Sequence, residues 1–184
     1  YRGLLARGQT LTPRQCYYYA RELYYNSLYE EAVEHFRAFL DGGQGWVEDN
    51  IAACCLLAVC LEALKRPDAV RDVLLESFRY APPRVEACCR LGGYYAGIGD
   101  YRQALGWYET ALSLPSSQIL GFHQEAYCGY VPAIEACVCC CKLGDFSRAL
   151  QYNQQAESHR PGDRSVAHNF EYIKSQLALQ PATE

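Results

Sequence analysis

Apolar residues in this chain recur three and four positions apart, as in Cys16, Tyr19, Ala20 and Leu23, and nowhere show the two-residue alternation of a strand. The pattern predicts helices over residues 13–26, 29–41, 48–64, 67–79, 83–97, 101–114, 130–143 and 146–158. A last helix is expected from a cap at Asp163 to about residue 176. Thr12 and Pro13 suit the cap and first turn of the first long helix. Gly42-Gly43-Gln44-Gly45 and Ala81-Pro82-Pro83 interrupt the periodicity and mark breaks between helix pairs. No apolar run approaches the ~20 residues that span a bilayer.

The helix pairs are copies of one another. The clearest copy reads Cys88-x2-Leu91-Gly92-x2-Tyr95, then Gly99-Asp100-Tyr101, Ala104-x3-Tyr108 and Ala111, closing near Pro115. This is the layout of a tetratricopeptide repeat, a helix–turn–helix of about 34 residues. The copies align on Ala32, Ala69, Ala104 and Ala149, spaced 37, 35 and 45 residues apart. Small residues let the two helices of a hairpin approach, while Tyr29, Phe36, Tyr101, Tyr108 and Phe146 fill the gaps between hairpins. The expected fold class is all-α: a right-handed α-α superhelix of about four tetratricopeptide hairpins plus a C-terminal capping helix. Residues 1–12 read as a leader, 13–178 as the solenoid and 179–184 as a frayed tail. The stretch 115–132, with Gly121-Phe122-His123-Gln124, is longer than a standard turn and too aromatic for a linker, so it is expected to pack against the solenoid.

Composition narrows the function. A net charge of −4 and the lack of a basic stripe argue against nucleic acid, and no segment reads as a membrane anchor or a signal peptide. The chain begins at Tyr1 and contains no Met, which suggests a segment of a longer protein or a chain whose Met residues are not represented. Of eleven cysteines, Cys16, Cys54, Cys88, Cys137 and Cys140 fall where the repeat wants a small buried residue. Neighbours such as Cys54-Cys55 cannot bridge on a helix without strain. Reduced thiols and a cytoplasmic compartment follow as expectations.

Two side-chain groupings invite a chemical role. Cys137-Val138-Cys139-Cys140-Cys141 contains a C-x-x-C, but His35, His123, His159 and His168 offer no zinc spacing, and a mid-helix thiol lacks the helix N-terminus that stabilises a thiolate. Core packing is the default there, and no metal or cofactor is expected. Tyr17, Arg21, Tyr24 and Tyr25 lie on or near one side of the first long helix, the side that lines the concave surface of a solenoid. An aromatic patch with an Arg suits recognition, although tyrosines also wedge hairpins together. No catalytic constellation stands out: Glu30-Glu31 sit on a turn, and no Gly-rich phosphate loop is present.

Some local wording is more specific than the repeat. It comprises Tyr19-Ala20-Arg21-Glu22-Leu23-Tyr24-Tyr25-Asn26, Gly45-Trp46-Val47-Glu48-Asp49, and Ser77-Phe78-Arg79-Tyr80 before Pro83-Arg84-Val85-Glu86. Trp107-Tyr108-Glu109-Thr110-Ala111-Leu112, Lys142-Leu143-Gly144-Asp145-Phe146 and Tyr152-Asn153-x2-Ala156 extend it over nearly the whole chain. Together these phrases resemble the repeat region C-terminal to a family 2 glycosyltransferase domain in bacterial proteins, notably of Firmicutes. The resemblance implies an upstream catalytic domain with a D-x-D metal site. This chain has no Asp-x-Asp, so no catalytic residue carries over. The expected function is a non-catalytic interaction module that docks an acceptor polypeptide or a protein partner. A homodimerisation module, a thiol or metal sensor, and a carbohydrate-binding face on Tyr17, Tyr24 and Tyr25 are the alternatives.

Overall fold

The computed structural model describes residues 1–114 and 129–179. His123, the expected packing of most of the long insertion, and the expected fraying of 180–184 lie outside the described residues. Among those described, the regular structure is helical: α1 (Arg2–Ala6), α2 (Pro13–Tyr25), α3 (Tyr29–Asp41), α4 (Val47–Ala63), α5 (Pro67–Glu76), α6 (Val85–Gly97), α7 (Tyr101–Ser113), α8 (Tyr130–Leu143), α9 (Phe146–His159) and α10 (Arg164–Leu179). None of these helices is long and apolar enough to cross a membrane. The chain divides into two compact units, Tyr1–Pro83 and Arg84–Glu184.

In the first unit α2 pairs with α3 and α4 with α5, while α3 and α2 both pack on α4. Helix α2 starts with a reciprocal cap: the Gln15 backbone N–H donates to Thr12 Oγ1 (3.3 Å), and the Thr12 N–H donates to Gln15 Oε1 (2.9 Å). Ala32, Phe36, Leu57, Ala58, Val73 and Leu74 are core residues of this unit, each without solvent exposure. Helix α5 stops at Glu76, short of the expected residue 79. There the Ser77 hydroxyl donates to the Leu74 carbonyl at 2.6 Å, and the chain tightens into a 3-10 turn, Ser77–Arg79. Residues 1–12 contain α1, from which Arg2 pairs with Glu31 at 2.9 Å and Tyr1 places its ring 5.7 Å from that of Tyr19.

The second unit contains the hairpins α6–α7 and α8–α9, with α10 laid on α9 and α8. Helix α6 begins at Val85 because Arg84 is extended (φ −109°, ψ 152°). Gly92 shows why the repeat wants a residue without a side chain there. A Cβ on it would lie 2.6 Å from the ring of Tyr108, which is itself 2 % exposed. Cys88, Ala104, Ala136, Cys137, Ala149 and Ile173 fill the rest of this core. The expected cap of the last helix is present: Asp163 Oδ1 accepts from the Ser165 N–H (2.8 Å) and the Val166 N–H (3.3 Å). Helix α10 then runs three residues past its expected end and buries Val166 and Ile173. Each unit also ties the second helix of one hairpin to the second helix of the next, by Arg37–Glu76 (2.6 Å) in one and Glu109–Arg148 in the other.

Candidate functional site

The four residues singled out from sequence separate by depth. Tyr17 is 5 % exposed, with its ring centroid 5.6 Å from that of Phe39 and 6.4 Å from that of Phe36. Burial, more than any neighbouring charge, pushes its hydroxyl pKa up, so it is a neutral core phenol. Tyr25 is 65 % exposed and stacks at 5.2 Å on the half-buried Tyr24. Arg21 lies between these layers. Its guanidinium sits 4.6 Å from the ring centroid of Tyr18 and 5.7 Å from that of Tyr17. Its buried Nε has no hydrogen-bond partner among the described residues.

Two turns before Arg21, Arg14 covers the same Tyr18 ring at 5.6 Å and donates from Nη2 to the Tyr18 hydroxyl at 3.4 Å. Residues 14, 18 and 21 follow the i, i+4, i+7 spacing of a single helix face, which produces a guanidinium–phenol–guanidinium stack along α2. Tyr18, absent from the residues expected at the site, is its centre. The Tyr17-Tyr18-Tyr19 run carried the signal, because helical spacing places Tyr18 between two arginines.

Beside Arg14 opens a cleft of about 490 Å³, lined by Pro13, Arg14, Tyr18, Phe39, Trp46 and Asp49. Its far wall is the loop ahead of α4. Trp46, 68 % exposed, occupies the position just before the helix, and its carbonyl accepts from the Asn50 N–H at 2.9 Å. The Asn50 side chain, 6 % exposed, donates to the Gly45 carbonyl at 3.2 Å. A Cβ on Gly45 would strike both that amide and the Phe39 ring, at 2.5 Å from its Cζ. The indole is therefore exposed on a backbone that is fixed from below.

The cysteine run on α8 behaves as core. The Cys137 thiol donates to Asn153 Oδ1 at 3.8 Å, and burial pushes the Cys137 and Cys139 thiols up to about 12 and Cys140 up to about 11. Such thiols stay protonated, the reverse of a reactive site. Among the described residues no three His, Cys, Asp or Glu side chains converge to hold a metal ion. His35 packs edge-on to Tyr19 at 4.7 Å, and His159 lies against Gly129.

A family model described as tetratricopeptide repeat matches residues 85–118, the hairpin α6–α7 and the residues just after it. Among solved structures, that of MamA is similar with a TM-score of 0.71 at 12 % identity, over 87 % of this chain and 79 % of that one. YrrB, described as a tetratricopeptide-repeat protein with an unusual peptide-binding site, gives 0.70 at 13 % identity, over 89 % and 77 %. TTC0263, a thermophilic protein of the same kind from Thermus thermophilus, gives 0.58 at 18 % identity, over 96 % and 86 %. No curated protein matches in sequence. The fold is thus that of tetratricopeptide-repeat proteins, as its sequence spacing predicts.

Proposed function

We propose that this chain is a polypeptide-docking module whose contact surface is the side of α2 formed by Arg21, Tyr24 and Tyr25, with Tyr17 as their buried support. One observation carries the proposal: Arg21 is stacked on aromatic rings with a buried Nε–H that finds no acceptor among the described residues. The Nε–H is sealed from water, so a bound acidic side chain would meet the same guanidinium through its outer nitrogens, where a charge-assisted hydrogen bond contributes about 1.5–3 kcal/mol. The peptide-binding site of YrrB lends support by analogy of fold. The experiment is peptide display against the chain, followed by anisotropy titration of the selected peptides. Arg21→Gln and Tyr25→Ala should each weaken binding at least tenfold, about 1.4 kcal/mol. Peptides that bind both variants as well as the parent chain would exclude this surface.

The finer proposal rests on the local resemblance to bacterial proteins in which such repeats follow a family 2 glycosyltransferase domain. The docked segment is then an acceptor polypeptide presented to that linked domain. Sugar transfer by this chain alone would count against a purely docking role. A homodimer is the second reading, favoured by the exposed Phe170 (41 %), Tyr172 (46 %) and Leu179 (76 %) on α10. Light scattering that gives a concentration-independent mass near twice 20.8 kDa supports it.

A further inference from the structure

The cleft between the start of α2 and the loop before α4 adjoins the proposed docking surface through Tyr18, which lines it and carries the Arg21 guanidinium on its ring. A tryptophan left 68 % exposed forgoes much of the stabilisation that burying a large apolar side chain yields. It is not exposed through slack. The Gly45 carbonyl is held by the buried Asn50, and Phe39 fills the space beneath the glycine. A held backbone lowers the cost of ordering the indole when it is covered, which favours a preformed binding surface. The cleft is shallow and open on one side, which suits a ligand held by one face and a few polar groups rather than one that is enclosed.

The polar groups select the ligand. Arg14 and Asp49 both line the cleft, and neither forms an ion pair with another described residue. Opposite charges in one small cleft leave little net field, which favours neither an acidic nor a basic segment. They do supply a carboxylate acceptor and a planar array of N–H donors within one cleft lining. A vicinal diol matches such a pair: its hydroxyls donate to the carboxylate while their oxygens accept from the guanidinium. The C–H edge of a pyranose carries partial positive charge and suits the negative face of an indole.

We infer that this cleft binds a neutral saccharide, with Trp46 as the stacking face and Asp49 and Arg14 gripping adjacent hydroxyls. The inference is independent of polypeptide docking on Arg21 and Tyr25. Its test is a titration of the ¹⁵N-labelled chain with glucose, galactose, N-acetylglucosamine and their β-1,4-linked disaccharides. The two indole N–H signals, of Trp46 and Trp107, are assigned with Trp46→Phe. At least one sugar should move the Trp46 indole saturably, at a Kd in the millimolar range, and leave Trp107 unmoved. Asp49→Asn and Arg14→Gln should each weaken that binding fivefold or more with backbone spectra otherwise preserved, and Trp46→Ala should abolish it. No movement at ~100 mM sugar, a binding free energy weaker than about −1.4 kcal/mol, overturns the inference. So do shifts that persist undiminished in both charge variants. Proline-rich or charged peptides that move the indole where no sugar does assign the cleft to polypeptide instead.

Discussion

Single residues explain why the repeat tolerates so little at some positions. Gly92 leaves room for the Tyr108 ring, and a Cβ there would press on it at 2.6 Å. Gly92→Ala, although it favours helix intrinsically, should therefore destabilise the chain by about 1–3 kcal/mol in urea unfolding. Glu135 behaves oppositely. Its half-buried carboxyl is pushed above its ordinary 4.5 by desolvation. A raised carboxyl pKa means the folded state prefers the neutral form, so the wild-type chain loses stability as pH rises from the unfolded pKa through the folded one. Glu135→Gln should then raise the Tm at pH 7, and the gain should vanish once pH falls below about 4, where unfolded glutamates protonate. At this scale the core was legible: Cys88 and Cys137 stand where a small residue is wanted, and both are fully buried. The cleft was not. Trp46 belongs to a recognisable phrase, but its exposure depends on Asn50 and Phe39 closing beneath Gly45, a contact that periodicity does not encode.

Elements were placed well wherever a capping side chain sets the start. Thr12, Asp100, Asp145 and Asp163 each accept from a backbone N–H in the first turn that follows, and their helices begin within a residue of the positions read from sequence. C-terminal ends were missed by more: α5 is stopped by the local Ser77–Leu74 bond, and α10 is prolonged to Leu179. Besides its buried Val166 and Ile173, α10 is tied to α9 by a buried amide. Asn153, 2 % exposed, donates from Nδ2 to the Val166 carbonyl at 3.0 Å and accepts from the Cys137 thiol. Asn153→Ala leaves that carbonyl unmet, at about 1–3 kcal/mol. Because a repeat leans chiefly on its neighbours, hydrogen exchange should accelerate in α10 while amides of α2 and α4 keep their protection. Uniform acceleration along the chain would contradict such local coupling.

Over the whole molecule, cysteine serves as a hydrophobic building block in both units. Cys54, Cys60, Cys88, Cys89, Cys137, Cys139 and Cys140 are buried, and burial pushes their thiols up to about 11 or 12. At pH 8 a thiol with a pKa of 12 is ionised in about one molecule in 10⁴, and the thiolate is the reactive form. Titration with a thiol-specific reagent should label the partly exposed Cys16, Cys55 and Cys141 promptly. These seven should wait for denaturant. Rapid labelling of all of them in the native chain would show that the hairpins open far more often than their packing implies.

The seven sealed thiols give the chain a memory. In a reducing medium an opened hairpin closes again and no trace remains. Where an oxidant is present, the first opening releases sulfurs such as Cys139 and Cys140, whose places in the closed core leave no room for an added oxygen or a crosslink. A protein of this composition therefore refolds from a transient lapse only while its surroundings stay electron-rich. Its working lifetime elsewhere is counted in openings rather than in hours.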